Sequence, residues 1–280
     1  MRHVLAAGAA IVLVSGAASG AAAQAIPDWT GFSVGIVGGS LSTDDEEDEV
    51  LLFDRNLDGT FGEAVTTVSG GDAFSPGFCG GSSNGTSAAG GCDDDKGGVE
   101  AALRFGYDYQ WGAFVVGAIA EVGGSDAEDS VTGFSTTPAS YTFKRHLQST
   151  TAARLRLGYA AGPALLYATG GVAVGKIDNR FFSSNGVNEF TTVSEDEQDL
   201  DGWQGGGGVE YRLTPRLSVI AEYLYTSFDV EDDFVVRFGR GAAPATNPFI
   251  LPPSTAGTDT IRSSDEFNTH AFRIGMAYRF

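Results

Sequence analysis

Four groups of side chains in this 280-residue sequence have the types and spacing to do chemistry. Asp54, Asn56 and Asp58 place oxygen ligands at alternate positions with Gly59 at the sixth, as in the first half of a calcium-binding EF-hand loop. Val65 stands where that loop carries its bidentate glutamate, so only Glu63 or the acidic run at 44–49 could complete a site. The metal expectation is therefore weak calcium binding, with a dissociation constant on the order of 10⁻⁴–10⁻³ M as in extracellular modules. A solvated Asp/Asn/Gly turn accounts for the same residues. Cys79 and Cys92 share one Gly/Ser-rich stretch. His146 and His270 are the histidines outside the N-terminal segment, and neither has a serine motif beside it, so no catalytic group and no enzyme is expected. The fourth group is the largest: Glu100, Arg104, Asp108, Glu121, Arg154, Arg156, Lys176, Glu210, Arg212, Glu222, Arg273 and Arg279 are charges set singly inside otherwise apolar segments.

Those segments alternate with a period of two, the mark of strands. At the end of the chain Phe272, Ile274, Met276, Tyr278 and Phe280 share one face, and Arg273, Gly275 and Arg279 the other. Val99, Leu103, Phe105, Tyr107 and Tyr109 oppose Glu100, Arg104 and Asp108 in the same way. Eight strands are read: 29–41, 97–110, 113–123, 149–161, 164–177, 202–213, 217–228 and 267–280. The faces of 164–177 stay open, because Gly170-Gly171 could carry a bulge. Short turns at Trp111-Gly112, Gly162-Pro163 and Thr214-Pro215-Arg216 alternate with four long polar stretches, near 42–96, 124–147, 178–201 and 229–266. Within the second, Asp129–Ser135 and Ser140–Arg145 are expected to pair around Thr137-Pro138. Trp29, Tyr109, Trp111, Tyr159, Tyr211 and Tyr278 lie near the short-turn ends and suit an aromatic girdle.

Charge separates along the same lines. The net charge is −19, which argues against nucleic acid as a partner, since phosphate binding needs lysine and arginine. About 30 of the 36 carboxylates fall in the four long stretches, against 8 of the 17 basic residues, leaving the strands nearly balanced. A strand charge facing hydrocarbon at the midplane would cost roughly 2–4 kcal/mol for Arg or Lys. Turned inward, opposite charges neutralise one another, so they are assigned to a lumen. Residues 1–25 have the basic start, short apolar core and small-residue end of an export leader, with residues 26–280 as the exported domain. Export brings oxidising conditions, and Cys79 and Cys92 are expected to form a disulfide.

The terminal octet RIGMAYRF, the segment GGGGVEYRL with the turn after it, and the strand AEYLYTSF resemble small outer-membrane β-barrels of the OmpA and OmpX type. More narrowly, they resemble the porin-like surface antigens of alphaproteobacteria. The resemblance implies an all-β fold, an eight-stranded antiparallel up-and-down transmembrane β-barrel with four long extracellular loops and both termini periplasmic, in the cell outer membrane. It implies outer-membrane lipid and lipopolysaccharide as surroundings. It also implies a barrel-assembly machinery that reads Arg273, Gly275, Tyr278 and Phe280. The expected function is a structural and surface-interaction scaffold whose acidic loops meet a surface ligand. The alternative is a narrow porin-like channel for small solutes or ions. No cofactor is expected beyond weak calcium in the first loop.

Overall fold

Alternation along the chain becomes a closed ring. The computed structural model describes residues 28–43, 49–95, 97–230 and 234–280. The leader read at 1–25 lies outside these residues, as does the acidic run apart from Glu49. The ring strands are β1 Gly31–Thr43, β2 Gly98–Trp111, β3 Phe114–Ser125, β4 Ala139–Ala161, β5 Ala164–Ser183, β6 Glu197–Arg212, β7 Leu217–Asp229 and β8 Glu266–Arg279. Each pairs antiparallel with its sequence neighbours. β8 returns to β1, with Val34 opposite Tyr278 and Ile36 opposite Met276. Closure removes the sheet edges that an open eight-stranded sheet would expose.

Two of the three tight turns need left-handed backbone, which Gly112 (φ 61°) and Gly162 (φ 59°) supply. In the third, the Thr214 hydroxyl accepts hydrogen bonds from the Leu217 and Arg216 amides at 3.0 and 3.3 Å. Around the ring the outward face is apolar and exposed, for example at Phe32, Phe105, Leu155, Val172 and Ile274, whereas inward Arg104, Glu121, Arg154 and Glu222 are buried. This is the partition that a hydrocarbon surround demands.

β4 and β5 run well past the strands read from the sequence, which ended at 149 and 177. The register slips once, where Lys176 faces Ser149 and Ile177 faces Leu147, leaving Gln148 as the extra residue. Gly170 and Gly171 pair regularly with Leu155 and Arg154. The faces of β5 then follow: Val172 and Val174 are exposed outward, and Ala173 and Ile177 are buried inward. Lys176 shares the outward parity, so its place in the lumen is corrected. Its ammonium pairs across the strands with Glu197 at 2.8 Å.

The long connections do not stand apart as four loops. Glu128–Ser135 pairs with Ala139–His146 and extends the wall, and Gly77–Gly80 pairs onto that hairpin. A second sheet takes its four strands from three of the long connections, two of them from the last. Its order is Glu189–Thr192, Val236–Gly239, Thr258–Arg262 and Leu51–Asp54. Between the sheets lies a core that includes Phe53, Phe74, Val131, Tyr141, Phe143 and Phe238. The Phe74 and Tyr141 rings lie 5.4 Å apart, and those of Tyr141 and Phe238 5.2 Å. The loops thus form one folded head above the barrel.

Candidate functional site: the lumen and the head

The inward faces of the strands fill the barrel in layers. At the short-turn end Trp29 turns into the mouth, where it is fully buried with Val115, Ala160, Leu165 and Tyr167. Its amide donates to Gln110 Oε1 at 2.7 Å, and its carbonyl accepts from Arg279 Nη1 at 2.6 Å. The Arg212 guanidinium lies 4.4 Å over its ring. Trp29 therefore corks the mouth, and its place in the outer girdle is corrected. It precedes β1, so the strand's alternation does not fix its direction. Tyr109, Trp111, Tyr159, Tyr211 and Tyr278 do face outward.

Above the cork lies a charged lattice. Asp108 accepts from Arg156 and, at 2.7 Å, from Arg279 Nη2. Arg156 Nη1 also donates to Glu210 at 2.7 Å, and Ser218 holds the other Glu210 oxygen at 2.6 Å. One layer higher, Glu121 collects three guanidinium groups: Arg104 Nε at 2.5 Å, Arg154 Nη2 at 2.5 Å and Arg273 Nη2 at 2.7 Å. Arg104 Nη2 reaches on to Glu222 at 2.6 Å, which also accepts from Tyr167 at 2.8 Å. Glu100 lies beside Arg273 at 3.4 Å. In these layers Arg104, Arg154, Arg156, Arg273 and Arg279 face Glu100, Asp108, Glu121, Glu210 and Glu222, so the lattice is neutral as a whole. Arg212 sits half-buried at the mouth, bonded to the carbonyls of Pro215 and Asp28. Above the charges an apolar layer of Leu147, Ile177, Leu200, Phe228 and Phe267 completes the filling. Barrels of about eight strands are just wide enough for side chains to fill in this way.

The matching model in the comparison with protein families is the outer membrane protein beta-barrel domain, over residues 9–280. The chain belongs to this outer-membrane β-barrel family. It is similar to the 31 kDa outer-membrane immunogenic protein of Brucella melitensis, with 28% identity over 195 residues, 69% of this chain and 70% of that protein. The match to its Brucella suis counterpart has the same identity and extent. Among solved structures it is similar to OprG from Pseudomonas aeruginosa, at 14% identity and a TM-score of 0.46, over 90% of this chain and 97% of that one. It is also similar to the outer membrane protease OmpT from Escherichia coli, at 12% identity and a TM-score of 0.42, over 89% and 97%.

In this outer-membrane barrel Phe280, Tyr278 and Ile274 are on the outer surface, and Tyr278 and Phe280 meet edge to face at 5.3 Å. Arg273 and Arg279 of the same strand point into the lattice. At Gly275 β8 passes so close to β1 that any side chain would strike the Ile36 carbonyl. A second outer girdle, to which the sequence reading did not assign these aromatics, lies toward the long-loop end. The Trp203 and Tyr225 rings are 5.3 Å apart, those of Tyr225 and His270 5.0 Å, and His270 Nδ1 is hydrogen-bonded to the Tyr223 hydroxyl at 2.6 Å. The signal was present as three aromatics and a histidine near the loop ends of β6, β7 and β8.

In the head, Cys79 and Cys92 are joined in a disulfide. Asp54 is buried, and both its oxygens accept backbone amides: Leu57 at 2.7 Å, Gly59 at 2.7 Å and Asp58 at 3.3 Å. Asn56 Oδ1 accepts the Asp58 amide at 2.8 Å, and the Glu63 carboxylate accepts that of Arg55 at 2.6 Å. The oxygens of Asp54, Asn56 and Asp58 are thus turned onto amides rather than toward one common point. Among the described residues no group of three or more His, Cys, Asp or Glu is arranged to hold a metal ion. The exposed Asp58 carboxyl is held below its usual range by the Thr60 backbone and side-chain hydrogen bonds.

A buried ion group ties the head's segments together. Arg262 donates to both oxygens of Glu49 at 2.6 Å and to Asp129 at 2.6 Å. Burial pulls the Arg262 pKa down, but the Asp129 and Glu49 carboxylates outweigh it and leave the charged form favoured. Next to it Asp95 accepts from the Ser130 hydroxyl at 2.5 Å and amide at 2.9 Å. Burial pushes the Asp95 carboxyl up to about 6.

Proposed function

We propose that this protein is a closed surface scaffold: an outer-membrane barrel that fixes a folded head outside the cell, with both chain termini in the periplasm and no catalytic activity. The observation that carries the reading is the filling of the lumen by cork, ion lattice and apolar layer, each made of buried side chains bonded or packed to one another. A continuous water path would require several of those layers to part together. Function on structures displayed by a rigid scaffold is a common arrangement. The similarity to a Brucella protein called immunogenic supports the head as the part that a host meets. In this reading the acidic head surface meets a partner outside the cell, outer-membrane lipid and lipopolysaccharide surround the belt, and the assembly machinery reads Arg273, Gly275, Tyr278 and Phe280. Planar-bilayer recording of the full chain tests it. The expected record is a silent membrane; steady, reproducible conductance steps would favour the narrow channel instead.

A further inference from the structure

Several guanidinium nitrogens of the lattice lack a hydrogen-bond partner, and one such open contact borders a cavity. Arg273 Nε lies 3.4 Å from Glu100 Oε1, and neither atom has a hydrogen-bond partner. Gln204, also buried, spends its Nε2 on Thr226 at 3.1 Å and leaves Oε1 without a partner. All three residues line a single cavity of about 20 Å³, with Thr150 and Ala152 also in its wall. We infer that this cavity is the binding site of one structural water molecule that cross-links β2, β6 and β8.

Size, valence and charge each point to that ligand. A water needs roughly 10–15 Å³ on this measure, so the space is large enough for one. The unsatisfied atoms are two acceptors and one donor. One water matches them, giving its two hydrogens to Glu100 Oε1 and Gln204 Oε1 and accepting from Arg273 Nε. The surrounding lattice is already neutral, with Glu100, Glu121 and Glu222 against Arg104, Arg154 and Arg273. A cation would stand against the Arg273 guanidinium, and an anion would face the oxygens of Glu100 and Gln204. A neutral ligand with both donor and acceptor capacity has no such conflict. β2, β6 and β8 are not neighbours in the ring, so the water would join strands that no backbone ladder connects.

A crystal structure of the full chain at about 2 Å resolution, grown once with sodium and once with rubidium salts, tests the site. The expected result is a single ordered peak within hydrogen-bond distance of Glu100, Gln204 and Arg273, with no anomalous signal in rubidium. Featureless density, or an anomalous peak, would overturn it. Ala152→Val gives a second readout by pushing methyl groups into the space. Displacing a bound water strands three polar atoms, so the urea midpoint of unfolding should fall. A midpoint that rises or stays would mean a dry cavity and overturn the inference. A conducting barrel would sink the closed-scaffold reading without touching this site, and blank density would do the reverse.

Discussion

In the barrel Phe105, Leu155 and Ile274 face outward while Arg104, Glu121 and Arg273 face inward; in the head Tyr141, Phe143 and Phe238 face inward while Asp58, Asp93 and Asp94 face outward. β4 carries both arrangements, since Tyr141 and Phe143 are buried in the head and Arg154 and Arg156 in the lumen. Strand alternation is therefore indifferent to which face is apolar, and the surrounding medium decides. Hydrocarbon penalises an outward Arg or Lys by roughly 2–4 kcal/mol, so the barrel folds its charges inward and must pair them. Water favours burying each Phe by about 1.5–3 kcal/mol, so the head builds an ordinary core. Each part should fail in its own way.

The largest effect belongs to β8. Replacing Tyr278 and Phe280 with Ala strips the outward aromatics from its end while leaving Arg273 and Arg279 in the lattice and the head untouched. The expected outcome is a severalfold drop in outer-membrane protein with increased periplasmic degradation, read by fractionation and immunoblot. Normal amounts of heat-modifiable barrel would show that the terminal aromatics do not direct assembly.

Within the lumen, Glu121→Gln would leave Arg104, Arg154 and Arg273 without their shared carboxylate. Removing one partner of a buried ion group costs about 3–5 kcal/mol, seen as a lower urea midpoint for the whole barrel. Adding Arg154→Leu should restore part of the loss, a coupling on the order of 1 kcal/mol in a double-mutant cycle. Simple additivity would mean that the lattice is a set of independent groups.

The head counterpart is Phe238→Ala, which empties the centre of a ring cluster formed with Tyr141, Phe181, Phe190 and Phe249. A large-to-small change there costs about 3–5 kcal/mol, but the damage should stay local. Protease should cut the head of the folded protein faster while the barrel keeps its gel shift. An equal fall in barrel stability would make head and barrel one cooperative unit and break the comparison.

The two parts also differ in how much the sequence revealed. Barrel strands pair with their sequence neighbours, and most carry a clear alternation, so strands, turns and most inward charges could be read locally; in β5 the Gly170-Gly171 pair hid the faces and Lys176 was placed on the wrong one. Which charge meets which could not: Arg104 reaches Glu222 across the lumen, 118 residues away. In the head, Leu51–Asp54 pairs with Thr258–Arg262 and Glu189–Thr192 with Val236–Gly239. These strands are four or five residues long inside polar stretches, too short to show a period. Phenylalanines at 53, 74, 143, 181, 190, 238 and 249 were the available sign, since a purely solvated loop has no use for them.

The smallest expected effect concerns pH and only the head. Asp95 is held near 6, above its ordinary 3.8, first by burial and then by the neighbouring Asp129, against the opposing pull of the Ser130 hydrogen bonds and Arg262. Between those two values the folded head keeps a proton that the unfolded chain releases. This group's stabilisation is therefore present in mild acid and lost as pH rises through about 6. Asp95 is still partly open to solvent, so screening leaves an effect on the order of 1 kcal/mol. Asp58 shifts the other way, but its contribution is lost only as pH falls below the ordinary carboxylate range, outside this window. Proteolysis of the head should slow as pH drops from 7 to 5, while the barrel's urea midpoint, in this respect, stays level. Asp95→Asn should mimic the protonated form, slowing cleavage at pH 7 and flattening the profile. A head that loosens steadily from pH 7 to 5 in the wild-type protein would show that the Arg262 ion group, not Asp95, governs its response to acid.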